Sequence, residues 1–96
     1  MRFLIGVDIG TQGSKGALIT ETGEVVASAS SEQVVNVPRP GWAEHDPEAA
    51  WWGSFVDVVR QLIFKSQVPP RDIAAVNVSS LMPVMAPVDE TGMPLR

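Results

Sequence analysis

A carboxylate followed at once by a glycine-bearing turn is the first stretch of this sequence with chemical content: Asp8-Ile9-Gly10-Thr11-Gln12-Gly13-Ser14-Lys15. The residues before it, Phe3 to Val7, form a short apolar run of the kind that makes a buried strand. Gly10 and Gly13 let backbone N–H groups approach an oxyanion without a Cβ in the way, and Thr11, Gln12 and Ser14 add polar contacts. Such a turn suits nucleotide phosphates. Asp8 then suits a magnesium ion held through water, because that ion keeps much of its hydration shell and takes few carboxylates. Lys15 admits two readings, as positive charge for the phosphates or, by alternation with Ser14 and Gly16, as a side chain in solvent. The plainer reading of the whole stretch is a hairpin turn, since Asp-x-Gly-Thr is a common turn composition.

The elements that must position these groups follow from the pattern of apolar runs and breakers. Ser14 to Thr20 is a second strand, and after the Glu21-Thr22-Gly23-Glu24 turn Val25 to Ser31 is a third, so the three form an antiparallel meander. Val37-Pro38-Arg39-Pro40-Gly41-Trp42 has too many breakers for regular structure. Asp46-Pro47-Glu48 then starts a helix: Asp46 caps free amides, Pro47 suits the first helical position and Glu48 favours the positive end of the dipole. The helix is expected to run to about Lys65, with Trp51, Phe55, Val58, Val59, Leu62 and Ile63 forming one apolar stripe against a sheet. Pro69-Pro70 breaks it. Ile73 to Val78 reads as a further buried strand, Val84 to Val88 as a shorter one, and Asp89-Glu90-Thr91-Gly92 as a hairpin turn. The order suits an α/β layer with a mixed sheet.

Bulk properties narrow the function classes. A chain of 96 residues with 45% hydrophobic and 19% charged residues is a folded piece of one domain at most. Its net charge of −4 offers no basic field for nucleic acid or an anionic membrane. With no cysteine and the single His45, a thiolate or histidine metal cluster is excluded, and a cytoplasmic location fits. Asp8 arrives before a signal-peptide core could be completed, and no apolar run reaches membrane-spanning length. The sequence stops at Arg96 just after Met93-Pro94-Leu95, so it is expected to be an incomplete domain that self-associates through uncovered apolar faces.

The glycine turn opens a strand, not a helix, which separates it from both the Walker loop and the Rossmann fingerprint. In this strand-turn-strand form it resembles the first phosphate motif of the actin, heat-shock chaperone and sugar kinase superfamily. Gly41-Trp42-Ala43-Glu44-His45-Asp46-Pro47-Glu48-Ala49-Ala50-Trp51 is similar to the Gly-Trp-x-Glu-x-Asp-Pro-x-x-x-Trp stretch of the FGGY family of carbohydrate kinases, especially its xylulose kinase branch. The resemblance extends from about Leu4 through Arg96. It implies a ribonuclease-H-like α/β fold, a mixed sheet with a flanking helix, in which residues 1–96 are the N-terminal part of the first kinase domain. It also implies transfer of a phosphoryl group from ATP, with Mg2+, to a hydroxyl of a sugar or polyol, xylulose or a related ketose. Asp8 would position metal and phosphate, and Gly10, Thr11, Gln12, Gly13, Ser14 and Lys15 would surround the nucleotide phosphates. The family's catalytic base is an aspartate further downstream, outside these residues.

Under the same resemblance Trp42 and Glu44 help form the wall of the sugar pocket, where an aromatic face suits the apolar C–H side of a sugar; a staple for the loop is an equal reading of Trp42. His45 reads as a surface residue beside the helix cap. Leu81-Met82-Pro83 occupies the place of a Gln-Met-His sugar-binding run, so Met82 and Pro83 fall at the pocket while its polar flanks are lost. A polar group reads a hydroxyl far more stringently than an apolar wall does, and this departure leaves the sugar open. Ser79 and Ser80 are candidates to compensate, or simply a strand end. The alternatives to a kinase are a non-catalytic actin-like interaction module and a non-kinase nucleotide-binding relative.

Overall fold

In a computed structural model of the chain, the described residues are 1–10, 12–32, 40, 47–80 and 87–95, without the side chains of 47–49. Strands β1 (Phe3–Ile9), β2 (Gly13–Thr20) and β3 (Val25–Glu32) are followed by a helical run and by strand β4 (Ile73–Ser80). β1 pairs antiparallel with β2, and β2 with β3, so the expected meander forms. β4 then joins parallel to β1 on its other side, giving the order β3-β2-β1-β4 and the mixed sheet. β1 runs two residues beyond the expected end, through Asp8 and Ile9, because both remain paired to β2 and β4.

The helical run opens with wide π-type turns over Pro47–Trp52, where the sequence suggested a plain α-helix, and continues as α1 (Gly53–Ser66). At the junction the Ser54 hydroxyl donates back to the carbonyl oxygens of Ala50 and Trp51, the local competition that bends helices. α1 ends where Gln67 turns left-handed at φ 60° and returns its N–H to Ile63 O at 3.1 Å, ahead of Pro69. Asp46, the expected cap, lies outside the described residues.

Period-two alternation divides the sheet into two faces. Ile5 and Val7 of β1, Leu18 of β2 and Ala29 of β3 point to α1, where Val58 and Leu62 are fully buried against them. Phe55 and Val59 flank this contact, so four residues of the expected apolar stripe pack against the sheet, whereas Trp51 and Ile63 are not part of this core cluster. Gly16 is where helix and sheet come closest: a Cβ there would lie 2.5 Å from Val58 Cγ1 and 3.1 Å from Gly6 O. Two helix side chains also hold edge strand β3, Gln61 donating to Ser30 O at 2.9 Å and Lys65 to Ser28 O at 2.9 Å. The opposite edge is different. On β4, Val76 and Val78 are 47% and 45% exposed, since α1 lies over the other three strands. Among the described residues no helix is long and apolar enough to cross a membrane.

The last hairpin forms at the expected place. Asp89 N–H donates to Met93 O at 2.8 Å, Gly92 N–H to Asp89 O at 3.0 Å, and Val88 bridges Pro94. Of the short strand expected before it, residues 84–86 lie outside the described residues. Asp89 Oδ1 accepts from Thr91 Oγ1 at 2.7 Å, Thr91 N–H at 2.8 Å and Met93 N–H at 3.0 Å. The Thr91 hydroxyl above all, then the Met93 and Thr91 amides, hold this exposed carboxyl below its ordinary value of 3.8. A carboxyl lowered in the folded state lends the turn stability that is present above the unfolded value and disappears as pH falls through the folded one. The turn should therefore open at acid pH, and NMR should show Thr91 and Met93 amide shifts titrating together with Asp89. Amide shifts at these two positions that stay constant through the Asp89 titration would refute that link.

Candidate functional site

The face of the sheet turned away from α1 carries the polar groups. On β1 the alternation that buries Ile5 and Val7 sends Gly6 and Asp8 to this face. Register then supplies their neighbours: Asp8 stands opposite Lys15 on β2 and Ser79 on β4, and Lys15 opposite Ser30 on β3. One row, Ser30–Lys15–Asp8–Ser79, thus crosses all four strands, with Ala17–Gly6–Asn77 as the next row. At the β4 end of the row Ser79 Oγ donates to Asp8 Oδ1 at 2.6 Å.

The two rows floor an open cleft of about 450 Å³ lined by Gly6, Asp8, Lys15, Ala17, Asn77 and Ser79 among others. A second concavity of about 430 Å³ continues from Asp8 and Lys15 over the turn, past Gly10, Gln12 and Gly13 to Glu32. Lys15 is exposed on the Asp8 face and lines both concavities. Gln12 is exposed at the turn.

Two of the expected phosphate contacts are otherwise engaged. Gly10 N–H donates to Gly13 O at 2.9 Å, so it closes the turn instead of facing outward. Ser14 alternates to the helix side, fully buried, with its hydroxyl 2.7 Å from Ser54 Oγ. Its side chain is part of the contact between β2 and α1, the consequence of standing next to Lys15 on a strand of period two. Gly13 has a steric role as well: a Cβ would fall 2.7 Å from Ser31 O on β3, so only glycine lets the strands close at this point. Thr11, Trp42, Glu44, Met82 and Pro83 lie outside the described residues. Sequence reasoning had Ser79 only as a candidate sugar contact and did not connect it to Asp8, and it missed Asn77; the signal for both is the parallel β1–β4 register.

The donor set suits magnesium better than a dedicated protein cage. Among the described residues no three His, Cys, Asp or Glu side chains gather to hold a metal, whereas one accessible carboxylate beside a lysine and an open cleft suits a hydrated ion shared with phosphates.

The chain is similar to known proteins along its whole length. The chain is 33% identical to the glycerol kinase of Citrifermentans bemidjiense, spanning 100% of this chain and 19% of that kinase. The crystal structure of xylulose kinase from Rhodospirillum rubrum superposes with a TM-score of 0.86 at 34% identity, over 99% of this chain and 19% of that one. Gluconate kinase from Lactobacillus acidophilus gives a TM-score of 0.87 at 27% identity, over 99% of this chain and 18% of the kinase. The chain therefore spans about a fifth of the length of the kinases it matches, and over that part has the fold of their sugar kinase superfamily, a mixed sheet with one helix. The sequence profile of the FGGY family of carbohydrate kinases, N-terminal domain, matches residues 3–96, and the chain belongs to that family.

Proposed function

We propose that the intact protein transfers the γ-phosphoryl group of ATP to a hydroxyl of a sugar or polyol, and that this chain supplies its phosphate-facing strand pair. The observation that carries the reading is the Lys15–Asp8–Ser79 row on the open face of a kinase-family sheet. Phosphoryl transfer needs positioning and charge neutralisation above all. Asp8 would hold magnesium through water and Lys15 would face the phosphates, while Gln12 and the backbone around Gly13 border the same cleft. Magnesium, when bound, would neutralise charge on the phosphate oxygens.

The identity of the acceptor is a finer matter. Xylulose or a related ketose is our first candidate, but identities of 34% to a xylulose kinase and 33% to a glycerol kinase do not separate the two. The test is an ATP-dependent phosphorylation assay of the intact protein on xylulose, glycerol and gluconate. Turnover of at least one, with ADP formed in step with phosphorylated product, is expected; ATP binding without transfer to any of these or to related polyols would overturn the reading. The 96-residue chain by itself should give no turnover in this assay, since the family resemblance places the catalytic base downstream.

A further inference from the structure

We propose that Ser79 is a positioning residue for Asp8, fixing which carboxylate oxygen is presented to the hydrated magnesium; this rests on the function proposed above. Asp8 lies on an exposed strand face, where a short side chain has rotamers to choose from and solvent on one side. Its neighbour on β2 is Lys15, a long cation on a flexible stem that the proposed function assigns to the phosphates. Its neighbour on β4 is different. Ser79 stands in register on the parallel strand and donates its hydroxyl to Oδ1 at 2.6 Å, across 71 residues of sequence. Because a serine on a paired strand has little freedom beyond one torsion, this bond ties one oxygen of Asp8 to the frame of the sheet. The other oxygen is left to accept from a metal-bound water.

This arrangement gives Ser79 a task distinct from a sugar contact. A group that orients a carboxylate should matter in proportion to the carboxylate's partner, so its loss should weaken the magnesium complex of the nucleotide more than the nucleotide alone. Threonine keeps the hydroxyl and suits a strand, whereas valine keeps threonine's shape without it.

Calorimetry on the intact kinase, titrated with ADP in the presence and absence of Mg2+, tests the inference alongside steady-state kinetics. Ser79→Ala and Ser79→Val should each lower affinity for Mg·ADP by about tenfold, the scale of a lost hydrogen bond to a charged group, while Ser79→Thr stays within about twofold of the parent. Affinity for metal-free ADP should be the same in all four proteins. In an Asp8→Asn background, Ser79→Ala should add nothing further. The threonine and valine pair keeps the test decisive even where alanine disturbs the strand, and a thermal melt identifies that case. If Ser79→Val matches Ser79→Thr while Asp8→Asn still loses Mg·ADP affinity, the positioning role is wrong and the kinase reading stands. If Asp8→Asn also leaves Mg·ADP affinity intact, both fall. Equal losses with and without Mg2+ would place Ser79 on the nucleotide or in the fold and would likewise overturn the inference.

Discussion

Replacing Asp8 by asparagine in the intact protein should lower turnover by at least about a hundredfold, the scale on which a single preorganised electrostatic contact acts. Asparagine keeps the size of the side chain and an oxygen able to accept from Ser79 Oγ, so the variant removes charge and little else. Stability should change little, because Asp8 is exposed on the cleft face and takes no part in the core between the sheet and α1. The loss should fall on turnover rather than on affinity for the acceptor, since in the proposed function the charge faces metal and phosphate. A plain structural role for the turn predicts the reverse, nearly normal turnover with a modest loss of stability. Steady-state kinetics paired with a thermal melt separate the two.

The second large effect is on stability, and it turns on two glycines of adjacent strands. Gly16→Ala should destabilise the chain by about 1–3 kcal/mol, as overpacking of a tight core does. The added methyl would meet Val58 Cγ1 at 2.5 Å, Leu62 Cδ1 at 3.3 Å and the backbone oxygen of Gly6 at 3.1 Å. Val58 and Leu62 are fully buried, so neither has free space to retreat into. Gly6→Ala, on the opposite face, meets nothing within 4 Å. There only the unfolded chain's entropy changes, and a gain of about 0.5–1 kcal/mol is expected. Opposite signs for the two substitutions in urea unfolding would support the assignment of faces; equal signs would contradict it.

Much of the architecture was legible because it is local. The glycine turns between Asp8 and Ser14 and between Thr20 and Val25 dictate a meander, and the spacing of Phe55, Val58, Val59 and Leu62 dictates a helix with one buried side. The turn at Asp89 was equally plain, since an aspartate followed by threonine and glycine supplies both its acceptor and its sharp bend. The π-type opening of the helix was not legible, because the Ser54 hydroxyl competing for the Ala50 carbonyl leaves the apolar periodicity unchanged.

The candidate site was half legible for a related reason. Asp8 and Lys15 sit seven residues apart around one turn, so composition alone brings them together. Which face each neighbour occupies depends on where β2 begins: starting at Gly13, the alternation spends Ser14 on Ser54 and gives Lys15 to the cleft. Ser79 reaches Asp8 only after β4 has crossed over to pair parallel with β1, and no local pattern announces that register.

A structure of the intact protein with Mg2+ and a non-hydrolysable ATP analogue would test the account most directly. We expect a hydrated magnesium whose water donates to the Asp8 carboxylate, with Ser79 Oγ still bonded to the other oxygen and Lys15 facing the phosphates. Phosphates and metal bound away from the β1–β2 turn, with Asp8 bonded to Ser79 alone, would contradict it.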